Sequence, residues 1–387
     1  MIYYLILNLY LLVIKIASPF NKKAKAFIDG RKINKPKIKN CIWMHCSSLG
    51  EYEQGKELLK RIKKDSPKQK ILLTFYSPSG YENAKTNNLV DEIQYLPFDF
   101  YDNIKNWIEY VNPKYLILVK YDFWPNLLKV LSEKNISVYV VSATFRKKFF
   151  QLLFIYKKLK TIKHFWVQDL DSKIHLNSIG VNQATVCGDL RFDTVFSNLK
   201  NKTEIQLIKN FKKNSKLLLF GSIYQNEINF VPKNYNYKII IAPHEMKDVE
   251  KFKTLPNSIL YSKANEKNIK NYSLIIIDNI GMLSNLYQYA DIAYIGGGFK
   301  SGIHNILEAA IFNCPCIFGP NYKRFPEAID LIKIGAAKTI KTKNEFEVSL
   351  NYFLKNKEKI NSFDYCLNKK GATKKIFEIL KKRESIL

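Results

Sequence analysis

Short apolar runs alternate with longer amphipathic stretches along most of the chain, as strands and helices do when they take turns in a parallel sheet. Cys41–Cys46, Lys70–Phe75, Ile93–Leu96, Tyr115–Val119, Val138–Ser142, His164–Gln168 and Ala184–Cys187 predict strands, with helical spacing between most of them. A polar, lysine-rich stretch near 197–215 interrupts the pattern. It restarts with Leu217–Phe220, Lys238–Ala242, Leu274–Ile277, Ile292–Ile295 and Cys316–Phe318. This order predicts an α/β protein of two doubly wound, Rossmann-like domains, at 21–200 and 201–387, with a ligand in a cleft between them. The lysine-rich segment Lys369–Leu387, carrying Ile376, Phe377, Ile379 and Leu380, reads as a terminal helix of the second domain.

Residues 1–20 differ in kind. Ile2 to Ile14 is apolar apart from Asn8, Lys15 interrupts, and Ile16 to Phe20 continues the run; about 20 such residues are needed to cross a bilayer. They predict a membrane-anchor helix that spans the bilayer or lies in its interface; a buried N-terminal helix is the alternative. Lys22, Lys23, Lys25, Arg31, Lys32, Lys35, Lys37 and Lys39 follow against a single acid, Asp29. That imbalance keeps the rest of the chain on the cytoplasmic side of an inner membrane, near anionic lipid.

The formal net charge of +28 would attract anionic partners. Only six of the 62 basic residues are arginine, however, and no RNA-recognition, zinc-finger or helix-turn-helix signature accompanies them. Nucleic acid is therefore not an expected partner, and a non-catalytic basic membrane-binding protein is a weaker reading than an enzyme. The cysteines at 41, 46, 187, 314, 316 and 366 show no paired C-x-x-C spacing, and the histidines at 45, 164, 175, 244 and 304 are scattered. Reduced core thiols are expected, with neither metal nor cofactor.

Candidate chemistry lies where strands end. Ile292–Ala310 reads as a strand, the turn Gly296-Gly297-Gly298 and a helix start near Gly302 to Asn305, whose free amides could hold a phosphate. His304 and Glu308, four residues apart, would share a helical face. A tight connection without a ligand is the other reading. After the first strand, Ser47-Ser48-Leu49-Gly50-Glu51 puts a carboxylate in a first helical turn, as a proton acceptor or as the capping-box partner of Ser48. Two more loops follow strands: Thr74 to Glu82, and Lys120 to Asn126 with Asp122 beside Trp124-Pro125. They suit sugar or phosphate recognition, or are ordinary turns. Asp169-Leu170-Asp171 is read as a helix cap rather than a metal motif.

Taken in order, WMHCSSLGE at 43–51, TFYSPSG at 74–80, LPFDF at 96–100, KYDFWPN at 120–126, SATFR at 142–146, GDLRFD at 188–193, GS at 221–222, APHE at 242–245, DNIGML at 278–283, GGGFKSGIHNILEAA at 296–310 and FGPNYKRF at 318–325 resemble the 3-deoxy-D-manno-octulosonic acid (Kdo) transferases of lipopolysaccharide synthesis. The resemblance spans nearly the whole chain. It implies a membrane-associated, metal-independent, inverting glycosyltransferase of the GT-B type, moving Kdo from CMP-Kdo to lipid IVA. Glu51 would be the general base. CMP contacts would fall on Pro243, His244, Ile280, Gly281, Met282, Asn305, Ile306, Leu307 and Glu308, with Ser48, Gly50, Asp122, Ser222, Gly297 and His304 in support. His244, Met282 and Ala309 depart from the residues usual in the family. A GT-B transferase using a UDP-sugar is the nearest rival.

Overall fold

The computed structural model describes residues 2–32, 36–84, 88–146, 157–232, 237–357 and 360–384; Lys35 of the basic segment lies outside them. The chain forms two compact units. One is Met1–Thr194 with Lys370–Leu387, the other Val195–Lys369.

Each unit is built on a seven-stranded, wholly parallel sheet. In the first, β1 (Ile42–Cys46), β2 (Ile71–Phe75), β3 (Glu92–Tyr95), β4 (Tyr115–Val119), β5 (Ser137–Ala143), β6 (His164–Val167) and β7 (Ala184–Val186) lie in the order β3-β2-β1-β4-β5-β6-β7. Every residue of β1, β2 and β4 is buried, as helices on both faces require. The second unit holds β8 (Leu217–Ile223), β9 (Lys238–Pro243), β10 (Ser258–Leu260), β11 (Leu274–Ile276), β12 (Ile292–Ile295), β13 (Cys316–Phe318) and β14 (Ala337–Thr339), ordered β10-β11-β9-β8-β12-β13-β14. The predicted α/β class and all twelve predicted strands are present. The two unpredicted strands, β10 and β14, are three-residue edge strands with no apolar run to announce them.

In both sheets the order reverses beside the first strand, at β1/β4 and at β8/β12. Connections leaving such neighbours turn to opposite sides, so the loops at their carboxyl ends part and leave room for a ligand.

Two shared motifs turn out to be long-range caps. Asp99 of LPFDF accepts from the amides of Asn126 (3.0 Å) and Leu127 (2.8 Å), at the start of the helix Pro125–Glu133. Asp193 of GDLRFD accepts from Gly371 and Thr373, both at 2.8 Å, at the start of the helix Ala372–Glu384. That terminal helix was expected with the second domain and packs instead on the first unit. Its Ala372, Ile376, Phe377 and Leu380 join the core of Leu58, Leu59 and Ile62 from the helix Leu49–Asp65. Periodicity reveals an apolar stripe but not which core it will cover.

The N-terminal helix runs Ile2–Ala17, about 24 Å at 1.5 Å per residue and short of a ~30 Å hydrocarbon core. Among the described residues no helix is long and apolar enough to cross a membrane. The chain turns at Ser18 to Phe20, and Asn21 caps the next helix, Lys22–Asp29, accepting from Lys23 and Ala24. One side of Ile2–Ala17 docks on the first unit: Leu7 is buried and the Tyr3 hydroxyl donates to Asp99 at 2.7 Å. Leu5, Leu9, Leu12, Val13 and Ile16 stay exposed.

Replacing Phe377 by Ala empties a core position shared with helix Leu49–Asp65, and should cost about 3–5 kcal/mol. Denaturant unfolding followed by circular dichroism checks it; a loss below about 1 kcal/mol would remove the terminal helix from that core.

Candidate functional site

In the first unit, the loops leaving β1 and β4 bring two carboxylates together at the reversal point. Glu51 lies in the first turn of the helix Leu49–Asp65, and its Oε2 accepts from the Ser47 amide at 2.5 Å. Ser48 occupies the cap position without a side-chain cap bond, so the capping box does not form. Burial pushes the Glu51 carboxyl above its ordinary value, and the negative charge of Asp122 pushes the same way; the Ser47 amide, the His45 ring and Lys120 offset part of this. Gly50 leaves this turn open, with only the Ser48 hydroxyl within 4.0 Å of where a Cβ would stand.

Asp122, on the loop after β4, is held the other way. Burial would raise it, but its hydrogen bond to His45 and the attraction of that ring hold the carboxyl below the usual range. His45 Nε2 lies 2.7 Å from Asp122 Oδ2, and Nδ1 lies 2.8 Å from Thr74 Oγ1. The Trp43 indole N–H donates to the same hydroxyl at 2.8 Å. An ionised carboxylate only accepts, so Nε2 carries the proton; Thr74, accepting from Trp43, has its own hydrogen for Nδ1. His45 and Thr74 are fully buried. His45 escaped the sequence reading, although a lone histidine inside the apolar run Ile42–Cys46 must find polar partners.

The second unit gives a different answer from the one expected at the glycine turn. Strand β8 ends in an irregular register against β9, with Ser222 at φ +54°. A Cβ on Gly296 would lie 2.2 Å from Ser222 O, and one on Gly298 2.5 Å from the Gly319 nitrogen. Both glycines are thus needed for close backbone packing. Gly297, at φ +90°, donates to both oxygens of Glu227 at 3.0 and 3.1 Å. Glu227 is fully buried and also accepts from the Tyr224 amide and the Tyr294 hydroxyl. A resident carboxylate therefore occupies the Gly297 amide.

Two of the four predicted phosphate amides, those of Gly302 and His304, are occupied. Gly302 donates to Gly297 O and His304 to Gly296 O, both at 3.1 Å, while Leu307 N points to Asn305 Oδ1 at 3.3 Å. The helix covers only Leu307–Ala310. His304 precedes it, so His304 and Glu308 do not share a helical face. Glu308 Oε1 accepts from Asn305 Nδ2 at 3.0 Å, and Ile306 and Leu307 have fully buried side chains, leaving only their backbone for a ligand.

An aromatic cluster assembles beside the turn. His244, just past β9, stacks on His304 with ring centres 4.2 Å apart and planes 19° apart. Tyr224 lies 4.7 Å from the His244 ring, and Lys300 Nζ sits 3.7 Å from the Tyr224 ring centre. Burial, and then the neighbouring His244, push His304 down to about 4; its buried Nε2 has no hydrogen-bond partner among the described residues. So Ser222, His244, Gly297 and His304 converge with Tyr224, Glu227 and Lys300. Pro243 ends β9. Ile280, Gly281 and Met282 lie apart on the loop after β11, Ile280 being 72% exposed and Gly281 at φ +95°. All six cysteines are free and buried, and among the described residues no His, Cys, Asp and Glu cluster could hold a metal. Asp169 caps its helix, accepting from Ser172 at 2.7 Å.

Two doubly wound units, each on a seven-stranded parallel sheet, match the GT-B architecture. Solved structures agree on the fold. The UDP-GlcNAc 2-epimerase of Neisseria meningitidis matches with a TM-score of 0.62 at 14% identity, covering 88% of this chain and 100% of that one. The enzyme of Methanocaldococcus jannaschii matches at 0.60 and 18%, covering 89% and 100%.

Residues 22–194 match the family model of the 3-deoxy-D-manno-octulosonic-acid transferases, or kdotransferases. The 3-deoxy-D-manno-octulosonic acid transferase of Aquifex aeolicus is 26% identical over 358 residues, 87% of this chain and 94% of its own length. A bifunctional glycosyltransferase/methyltransferase of Fusobacterium nucleatum is 29% identical over 345 residues, 81% of this chain; this chain spans about half of that relative, 53%. Over most of its length the chain is thus similar to Kdo transferases.

His304 gives the site a pH signature. Its folded value, about 4, lies below the 6.5 of an unconstrained histidine, so between these limits the unfolded chain binds more protons and stability falls as pH drops. His164, also lowered to about 4, adds the same slope. Thermal unfolding between pH 7 and 4 should show a shallower fall for His304→Gln than for the parent, and equal slopes would rule out a buried neutral His304.

Proposed function

We propose that this protein is the Kdo transferase that moves Kdo from CMP-Kdo to lipid IVA, with inversion and without a metal. The observation that carries this reading is Glu51: a half-buried carboxyl with raised proton affinity, fixed at the carboxyl end of β1 near a second carboxylate. Such a group is suited to take a proton near neutral pH. As the acceptor hydroxyl oxygen forms its bond to the anomeric carbon, Glu51 takes that hydroxyl's proton. The bond from the anomeric carbon to the CMP phosphate oxygen breaks, and its electron pair leaves with CMP.

The donor falls to the second unit. Pro243, His244, Gly281, Met282 and the backbone of Asn305, Ile306 and Leu307 are the proposed CMP contacts, with Ile280 and Glu308 bordering them. The unpartnered His304 Nε2 and the nearby Lys300 supply polar groups for the departing phosphate. The exposed Leu5, Leu9, Leu12, Val13 and Ile16 suit a helix lying in the interface of the inner membrane, and Lys22, Lys23 and Lys25 suit anionic headgroups. Attachment is then peripheral, with both units facing the cytoplasm.

Glu51→Ala should lower Kdo transfer to lipid IVA by about 10²–10⁴ in detergent-solubilised protein; near-normal turnover would remove Glu51 from the role. CMP should inhibit the parent enzyme and UDP should not. The reverse would favour a UDP-sugar donor.

A further inference from the structure

We propose that His45 is a positioning residue for the transfer reaction, acting through Asp122 on the space in front of Glu51. The proposal rests on Glu51 being the base, and adds a residue to which no role has been given.

The geometry is that of a chain anchored in the sheet. Trp43 and His45 lie on β1 and Thr74 on β2, in a register that pairs His45 with Thr74 directly. From Thr74 Oγ1 the contacts run 2.8 Å to His45 and 2.7 Å from His45 to Asp122. Three of the four members sit on paired strands with no room to shift, because Trp43, His45 and Thr74 are all 0% exposed. Asp122 is the only one on a loop, and that loop leaves β4 beside the end of β1 that carries Glu51. A loop carboxylate would otherwise choose among several rotamers and backbone settings; a donor locked in the sheet removes that choice.

The chain matters because the charge of Asp122 adds to burial in raising the Glu51 carboxyl. The titratable groups that bear on this pair are His45, Lys120, Cys46, Asp99 and Tyr76. His45 donates to Asp122 and, with the Ser47 and Trp124 side chains, sets where that carboxylate stands. It touches no reacting atom itself.

The test uses full-length protein with CMP-Kdo and lipid IVA, comparing His45→Ala, His45→Gln, Asp122→Asn and the double variant His45→Ala/Asp122→Asn, each checked for folding by circular dichroism. Glutamine can place an N–H close to the Nε2 position and keep the bond to Asp122. His45→Ala should lose about 10- to 100-fold in kcat, with KM for CMP-Kdo within about twofold of the parent. His45→Gln should recover most of that loss. The double variant should be no slower than Asp122→Asn, because both changes cut the same chain. In Asp122→Asn the acid limb of kcat/KM should move to lower pH, since the like charge facing Glu51 is gone.

His45→Ala turning over within about twofold of the parent, losses that multiply in the double variant, or an effect confined to KM would overturn the proposal. If His45→Ala does not fold, the His45→Gln turnover and the Asp122→Asn pH limb still decide it. Failure of the base assignment shows separately, in Glu51→Ala.

Discussion

A carboxylate kept ionised out of water must be given a donor, and the site in the first unit follows from how Asp122 meets that need. Isolated burial would drive a proton onto it. The His45 ring, 2.7 Å away and braced by Thr74, keeps it charged. That retained charge, together with burial, raises the proton affinity of Glu51. Two carboxyls on adjacent loops are pushed apart in proton affinity by their surroundings, which is how one becomes a base while the other stays an ion.

The sheet supplies the stage for this pair. The order reverses between β1 and β4, so the loops carrying Glu51 and Asp122 leave neighbouring strand ends in divergent directions. The same reversal at β8 and β12 gathers Ser222, Gly297 and, one strand over, His244. Capping holds these loops in place from a distance: Asp99 fixes the helix that follows the Asp122 loop, and Asp193 fixes the returning terminal helix.

Much of the fold was legible in the sequence because strands covered on both faces are continuous apolar runs. The edge strands β10 and β14 were not, since Ser258-Ile259-Leu260 and Ala337-Lys338-Thr339 carry no such run. The destination of the terminal helix was hidden because an apolar stripe does not name its partner. In the candidate site, Glu51 and Asp122 could be picked out by their place after a strand. The glycine turn misled: three glycines look alike in sequence, yet two are explained by backbone contact with Ser222 and Gly319, and the third gives its amide to Glu227. Glu227 was not picked out, although like Glu51 it stands in the first helical turn after a strand, four residues past β8.

The rate of Kdo transfer from CMP-Kdo to lipid IVA, followed across pH from about 4 to 8 in the full-length protein, probes the base most directly. An acid limb with its midpoint above 4.5, the ordinary glutamate value, is the expected result. A limb centred at or below that value, or a rate independent of pH across the range, would contradict a half-buried glutamate as the proton acceptor.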